Sequence, residues 1–127
     1  LVGEASRQPT VLVIDDDRPL CENLWDILRE RGYRVGLVHD VQALESCIHS
    51  TTPDVVLIDL RLPDGDGVAA LRHLRARHPE VKSIVITGFP SELSNLVEDA
   101  RMEGAEAVCF KPFDIPSLLS LVETLSG

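Results

Sequence analysis

Five short apolar segments recur along the chain at intervals of roughly twenty residues, and this repeat limits the possible folds most strongly. Each segment has the length of a β-strand, and most are rich in Val and Ile. The five predicted strands are Val11 to Ile14, Val35 to Val38, Val55 to Ile58, Ile84 to Ile86 and Ala107 to Phe110.

Apolar residues with helical spacing follow each of these segments. The first set is followed by Gly32, which favours a helix C-terminal cap, and the fourth helix is predicted to end near Gly104. Strands that are apolar throughout, rather than alternating, indicate a parallel sheet with helices on both faces. The sequence therefore predicts a doubly wound (βα)5 α/β sandwich. The helical sets are Leu20, Leu24, Ile27 and Leu28; Val41, Leu44 and Ile48; Val68, Leu71 and Leu74; Leu93, Leu96, Val97 and Ala100; and Leu118, Leu119, Val122 and Leu125.

Polar residues stand where these strands end. In a doubly wound sheet, functional groups collect beyond the carboxyl ends of the strands, so we expect these side chains to meet at one edge. The residues are Asp15, Asp16 and Asp17 after the first strand, Asp59 after the third, Thr87 after the fourth and Lys111 after the fifth.

The carboxylates of Asp15, Asp16 and Asp59 would repel one another at this edge. Two like charges about 4 Å apart repel by about 4 kcal/mol at an effective dielectric constant of 20, so a bound cation is expected. Oxygen ligands of this type suit Mg2+. Lys111 supplies a second positive charge and Thr87 a hydroxyl donor, and together these groups would surround a transferring phosphoryl group while Asp59 attacks it.

Four segments in this order and at these strand ends resemble the receiver domain of response regulators in two-component signalling, the CheY-like superfamily. The resemblance covers about residues 10 to 125. It implies a flavodoxin-like parallel five-stranded sheet of order 2-1-3-4-5. The segments are Val11 to Asp17, Val55 to Gly67, Ile84 to Gly88 and Phe110 to Phe113.

The resemblance also implies roles for individual residues. Asp59 is expected to accept a phosphoryl group from the phosphohistidine of a sensor histidine kinase or a histidine phosphotransfer protein. In the family pattern Mg2+ is bound by Asp16, Asp59 and the backbone carbonyl of Arg61, while Asp15 holds a metal-bound water. Thr87 and Lys111 complete the catalytic set.

One position departs from the family pattern. An aromatic residue three positions before the site lysine usually rotates inward when the threonine moves, but this chain has Val108 there. Valine has no ring and a restricted χ1 angle. We therefore expect output to depend more on the segment from Thr87 to Pro90 and on the fourth helix than on the fifth strand.

Several alternatives stand beside this interpretation. Asp15 to Asp17 could serve only as a helix N-cap cluster, and for Asp17 the N-cap is the favoured interpretation. A degenerate receiver would act only as an interaction module. A haloacid-dehalogenase-like phosphatase would need Asp at the position of Arg61. The three cysteines are interpreted as core residues and the four histidines, His39, His49, His73 and His78, as surface residues.

The net charge of -9 makes the chain a poor partner for nucleic acid or anionic lipid. We expect no direct nucleic acid or membrane binding and a cytoplasmic location. Residues 1–9 are predicted to be a polar lead-in segment and residues 10–127 the receiver domain, part of a larger response regulator or hybrid histidine kinase. An output or kinase domain would then lie in the same parent chain, and a homodimer could form through the fourth helix, fifth strand and fifth helix.

Overall fold

The computed structural model describes residues 8–88 and 90–127, and within α4 (Pro90–Met102) it describes no side chain of residues 90–94. Most of the predicted lead-in segment, residues 1–7, therefore lies outside the described residues. So do Phe89 and the side chain of Leu93, which was part of the fourth helical set.

Five parallel strands form the central sheet in the order β2-β1-β3-β4-β5. This order confirms the predicted flavodoxin-like topology, in which the chain runs from the centre to one edge and then to the other. Each strand includes the apolar segment that predicted it. The strands are β1 (Thr10–Ile14), β2 (Arg34–Val38), β3 (Val55–Asp59), β4 (Lys82–Thr87) and β5 (Ala107–Phe110).

Five helices alternate with the strands, and four of them are preceded by an aspartate at the N-cap position. The carboxylates of Asp17, Asp40, Asp66 and Asp114 each accept a hydrogen bond from the backbone N–H three residues later. Such caps satisfy amides that have no partner inside the helix. The N-cap interpretation of Asp17 is therefore confirmed. The helices are α1 (Arg18–Glu30), α2 (Val41–Cys47), α3 (Gly67–Arg77), α4 and α5 (Ile115–Ser126).

The sheet separates two hydrophobic cores, because successive side chains of a strand point to opposite faces. In β1, Val11 and Val13 pack on the side covered by α1 and α5, whereas Leu12 and Ile14 pack on the side covered by α2, α3 and α4. All five residues of β3 are buried. Full burial of each such aliphatic side chain contributes about 1.5–3 kcal/mol, so the central strands form a rigid support for the groups at their ends.

A short hairpin follows β3 and was not predicted. Arg61–Leu62 pairs antiparallel with Gly65–Asp66 and brings α3 back over the end of β3. A Cβ atom at Gly67 would collide with the backbone oxygen of Asp59, so only glycine fits this return. Within the described ranges, no helix has the length and apolar character needed to cross a bilayer.

Candidate functional site

Asp15 follows β1 directly and is fully buried. Its backbone N–H donates to the carbonyl of Val38 at 2.9 Å, which extends the pairing of β1 with β2 by one residue. Its Oδ1 accepts a hydrogen bond from the N–H of Asp17 at 2.9 Å. The neighbouring Asp16 is exposed. The two adjacent acids therefore present one carboxylate inside the site and one at its solvent-facing side.

Asp59 is the last residue of β3, and only 6% of its surface is exposed. Its Oδ1 accepts a hydrogen bond from the N–H of Arg61 at 3.0 Å, so the hairpin orients this carboxylate. Its Oδ2 faces Lys111, which donates a hydrogen bond at 3.1 Å. Both oxygens of Asp59 are thus held by groups from different segments of the chain.

Lys111 connects β5 to the acidic side chains. Its backbone N–H donates to the carbonyl of Thr87 at 2.6 Å, and the Lys111–Pro112 peptide bond is cis. Its Nζ lies 2.7 Å from Oδ2 of Asp15, so the two side chains form an ion pair. The contact with Asp59 places the same ammonium between two carboxylates.

The site carries more negative than positive charge. One carboxylate oxygen from each of Asp15, Asp16 and Asp59 lies within 4.8 Å of the others, and the ammonium of Lys111 contacts two of these acids, Asp15 and Asp59. Burial raises the pKa of Asp15 above its usual value; Lys111 and the N–H of Asp17 only partly offset this effect, and the charge of Asp59 adds to it. Such unfavourable ionisation indicates a place for a further cation.

The pKa of Lys111 moves in the direction that keeps it charged. Burial alone would lower this pKa, but the combined attraction of Asp15 and Asp59 outweighs burial and raises it. Lys111 therefore remains a cation at neutral pH.

Thr87, the last residue of β4, is fully buried, and its Oγ1 makes no hydrogen bond within the described residues. A buried hydroxyl of this kind is expected to meet a polar partner in some functional state.

The structure brings the three predicted acids together, puts Lys111 in contact with Asp15 and Asp59, and places Thr87 next to Lys111 through the backbone bond. The N–H of Arg61 binds Asp59, as described above. Val108 lies apart from this group. It pairs in register with Val85 of β4 and packs, partly buried, against the core on the α4 side.

Sequence reasoning missed two groups that contact Asp15. The carbonyl oxygen of Asp15 lies 3.0 Å from Nδ1 of His39 and accepts a hydrogen bond from the thiol of Cys21 at 3.3 Å. His39 is half-buried, which corrects its interpretation as a surface residue; its position directly after β2, next to β1 in the sheet, was the available signal.

The remaining histidines divide in the same way. His78 is also half-buried, and its Nε2 lies 2.9 Å from the carbonyl of Ile48, so its surface interpretation is wrong too. His49 and His73 are exposed, as predicted. Of the cysteines, Cys21 is buried, while Cys47 and Cys109 are partly buried against the cores.

The fold and this arrangement of acids, hydroxyl and ammonium define a receiver domain of two-component signalling. The model of the response regulator receiver domain family matches residues 11–123, and the chain belongs to this family. The family assignment and the five-stranded topology also remove the haloacid-dehalogenase-like alternative.

Similar proteins agree with this assignment. The transcriptional regulatory protein ZraR of Klebsiella oxytoca is 35% identical over 96% of this chain and 27% of its own length. A CheY-like receiver domain protein from Methanospirillum hungatei superposes with a TM-score of 0.86, at 29% identity and 94% coverage of both chains. A Burkholderia pseudomallei response regulator, with a phosphorylated aspartic acid, calcium ion and citrate, superposes with a TM-score of 0.81, at 25% identity, covering 94% of this chain and 69% of its own.

The chain spans only part of the curated relatives that it matches, between 25% and 60% of their length among those at the top of the comparison. The shared region is the receiver domain.

Proposed function

We propose that Asp59 accepts a phosphoryl group from a phosphohistidine, with Mg2+ held beside it, and that this phosphorylation switches the domain. The observation that carries the proposal is the placement of one oxygen each from Asp15, Asp16 and Asp59 within 4.8 Å, with Lys111 bridging two of these acids. The family assignment gives the class of reaction.

Asp59 is the acid best placed to act as nucleophile. A carboxylate oxygen of Asp59 forms the new bond to phosphorus while the phosphorus–nitrogen bond of the donor breaks and the donor imidazole leaves. The hydrogen bond from Arg61 to Oδ1 fixes the carboxylate plane, and Lys111 contacts Oδ2. Lys111 is therefore positioned to neutralise charge on the transferred group.

The residues present fit Mg2+. Three carboxylates face one ammonium, and this ion favours hard oxygen ligands together with several waters. Asp16, Asp59 and the backbone carbonyl of Arg61 would bind it directly, and the fully buried Asp15 would hold a bound water. When bound, Mg2+ supplies positive charge that stabilises the phosphoryl oxygens.

Thr87 is proposed to donate its hydroxyl to a phosphoryl oxygen. Its Oγ1 is buried at the end of β4 and makes no hydrogen bond elsewhere in the described chain. Phosphorylation would give this hydroxyl a partner. Movement of Thr87 toward that partner would then shift the segment that leads into α4.

The related response regulator of Burkholderia pseudomallei supports this reading of the site. Its structure holds a phosphorylated aspartic acid and a calcium ion. We infer the same chemistry for Asp59, with Mg2+ as the ion.

A sensor histidine kinase or a histidine phosphotransfer protein is the proposed phosphoryl donor. We further propose that residues 10–127 form the receiver domain of a cytoplasmic parent protein with an output or kinase domain. The net charge of -9 argues against direct nucleic acid binding by this domain itself. A homodimer through α4, β5 and α5 would be one route by which phosphorylation reaches that output.

Intact-mass spectrometry of the chain incubated with a small acyl phosphate tests the proposal. With Mg2+ the parent should gain one phosphoryl group, whereas EDTA or the substitution Asp59→Asn should abolish the gain. Asp26→Asn is the matched control because Asp26 is exposed on α1. Equal labelling of the Asp59→Asn variant would refute the assignment, and an unlabelled parent would favour the degenerate, interaction-only receiver.

A further inference from the structure

We propose that His39 is a positioning residue for the metal site, because it holds the Asp15 carbonyl and thereby fixes the peptide that carries Asp16. The inference rests on the proposed function, since it concerns the geometry of the proposed Mg2+ ligands. Its starting point is the 3.0 Å contact between Nδ1 of His39 and the carbonyl oxygen of Asp15.

The chemistry of this contact defines the donor. A carbonyl oxygen can only accept, so Nδ1 of His39 carries the proton and donates it. The histidine is half-buried at the end of β2, and β2 pairs with β1 through the residue before Asp15. The imidazole is therefore attached to the sheet edge on which the acids lie.

Hydrogen bonds fix both peptide planes that flank Asp15. The N–H of Asp15 donates to the carbonyl of Val38 at 2.9 Å, and the carbonyl of Asp15 accepts from His39 and, at 3.3 Å, from the thiol of Cys21. Because a peptide unit is planar, orienting the carbonyl of Asp15 also orients the nitrogen and Cα of Asp16. His39 thus acts on Asp16 through the backbone.

Asp16 depends on this backbone support. Its side chain is exposed and makes no hydrogen bond within the described residues, in contrast to the carboxylates of Asp15 and Asp59. The place of its carboxylate beside Asp59 is therefore set mainly by its own backbone. The imidazole is the stronger of the two donors to the Asp15 carbonyl, because a thiol is only a weak donor.

Calorimetric titration with Mg2+ alone, on the full chain, tests this role. His39→Leu removes the donor and should raise the Mg2+ dissociation constant about tenfold, because loss of groups that orient metal ligands commonly weakens metal binding by this factor. His39→Asn should restore affinity close to the parent value, because its amide nitrogen is bonded to Cγ as Nδ1 is in histidine. His49→Leu is the control, since His49 is exposed.

Two readouts on metal-free protein separate positioning from folding. In His39→Leu the amide resonance of Asp16 should shift, and in His39→Asn it should return toward the parent position, while urea midpoints of the two variants remain similar. The positioning role would be overturned if the parent and His39→Leu bound Mg2+ with equal affinity. It would also be overturned if both variants lost the same Mg2+ affinity and had equally lowered urea midpoints. If the parent binds no Mg2+ and gains no phosphoryl group, the proposed function fails and the inference fails with it.

Discussion

Asp15 and Asp16 are adjacent in the chain but have different environments. Asp15 is fully buried, accepts a bond from the N–H of Asp17 and is paired with Lys111. Asp16 is exposed near Asp59. Because Mg2+ retains several waters and uses few carboxylates directly, Asp16 suits direct binding and Asp15 suits a bound water.

This difference predicts an order of Mg2+ affinities. Asp16→Ala should weaken Mg2+ binding more than Asp15→Ala, because only the former removes a proposed direct ligand. Isothermal titration calorimetry would measure both dissociation constants, and urea unfolding of each variant would show that the domain remains folded. Equal affinities in the two variants would contradict the assigned roles.

Sequence reasoning found the residues at strand ends because position along a strand determines which edge a residue reaches. Asp15, Asp59 and Lys111 were placed together for this reason. The contact of His39 with Asp15 was not predictable in the same way. It depends on the direction of one backbone carbonyl and on a side-chain rotamer, and apolar periodicity records neither.

β5 is the element whose part in the switch departs from the family pattern. Val108 is partly buried against the core on the α4 side, and Phe110, which pairs in register with Thr87, has 37% of its surface exposed. Valine offers no ring that could rotate into the core. Displacement of Thr87 should therefore be transmitted mainly through the start of α4.

Binding of the phosphoryl mimic beryllofluoride with Mg2+ tests this route. The amide resonances of Gly88 and Ser91 should shift strongly and that of Val108 weakly, because Val108 lacks the large rotation available to an aromatic residue. Two-dimensional NMR of the free and bound protein would provide both measurements. A larger shift at Val108 than in the segment after Thr87 would show that the switch operates through β5.

The hairpin after β3 is tied to α2 by Asp64. The two carboxylate oxygens of Asp64 accept hydrogen bonds from the N–H groups of Val41 at 2.8 Å and Gln42 at 3.1 Å. These bonds, that of Val41 above all, lower the pKa of Asp64 below its usual 3.8. The same hairpin contains Arg61, so the tie also restrains a segment of the proposed metal site.

The lowered pKa of Asp64 predicts how the contribution of this residue to the stability of the fold depends on pH. A carboxyl group with a lower pKa in the folded state stabilises the fold above its unfolded pKa of 3.8, and this stabilisation is lost as pH falls through the folded pKa. Asp64→Ala should therefore lower the urea midpoint at pH 7, and the difference from the parent should shrink below pH 3.8. Asp26→Ala, at an exposed acid of α1, should show neither effect. A urea midpoint that Asp64→Ala leaves unchanged at pH 7 would show that these two hydrogen bonds do not stabilise the fold.

The strands could be predicted because each is a continuous apolar run, and the helices because each is long enough to repeat its apolar spacing. The hairpin could not, since strands of two residues are too short to show either pattern. No strand was predicted between β3 and α3. The close approach of Gly67 to Asp59 that makes the turn necessary is a tertiary feature.

At the scale of the whole molecule, a single sheet with a core on each face holds all of the proposed site at one edge. The carbonyl of Pro9 accepts a bond from the N–H of Arg34 at 2.9 Å, so pairing of β1 with β2 begins one residue before the predicted boundary at residue 10. The chain spans only about a quarter of the length of the ZraR relatives that it matches.

The identity of Asp59 as the residue that carries the phosphoryl group is the central claim of the proposed function. Borohydride reduction of the phosphorylated chain, followed by peptide sequencing in a mass spectrometer, locates an aspartyl phosphate because only that acyl phosphate is reduced to the alcohol. We predict one reduced residue, Asp59, in samples prepared with Mg2+ and none in samples prepared with EDTA. Reduction at Asp15 or Asp16, or a phosphoryl group that resists reduction because it lies on a hydroxyl or imidazole, would contradict the account.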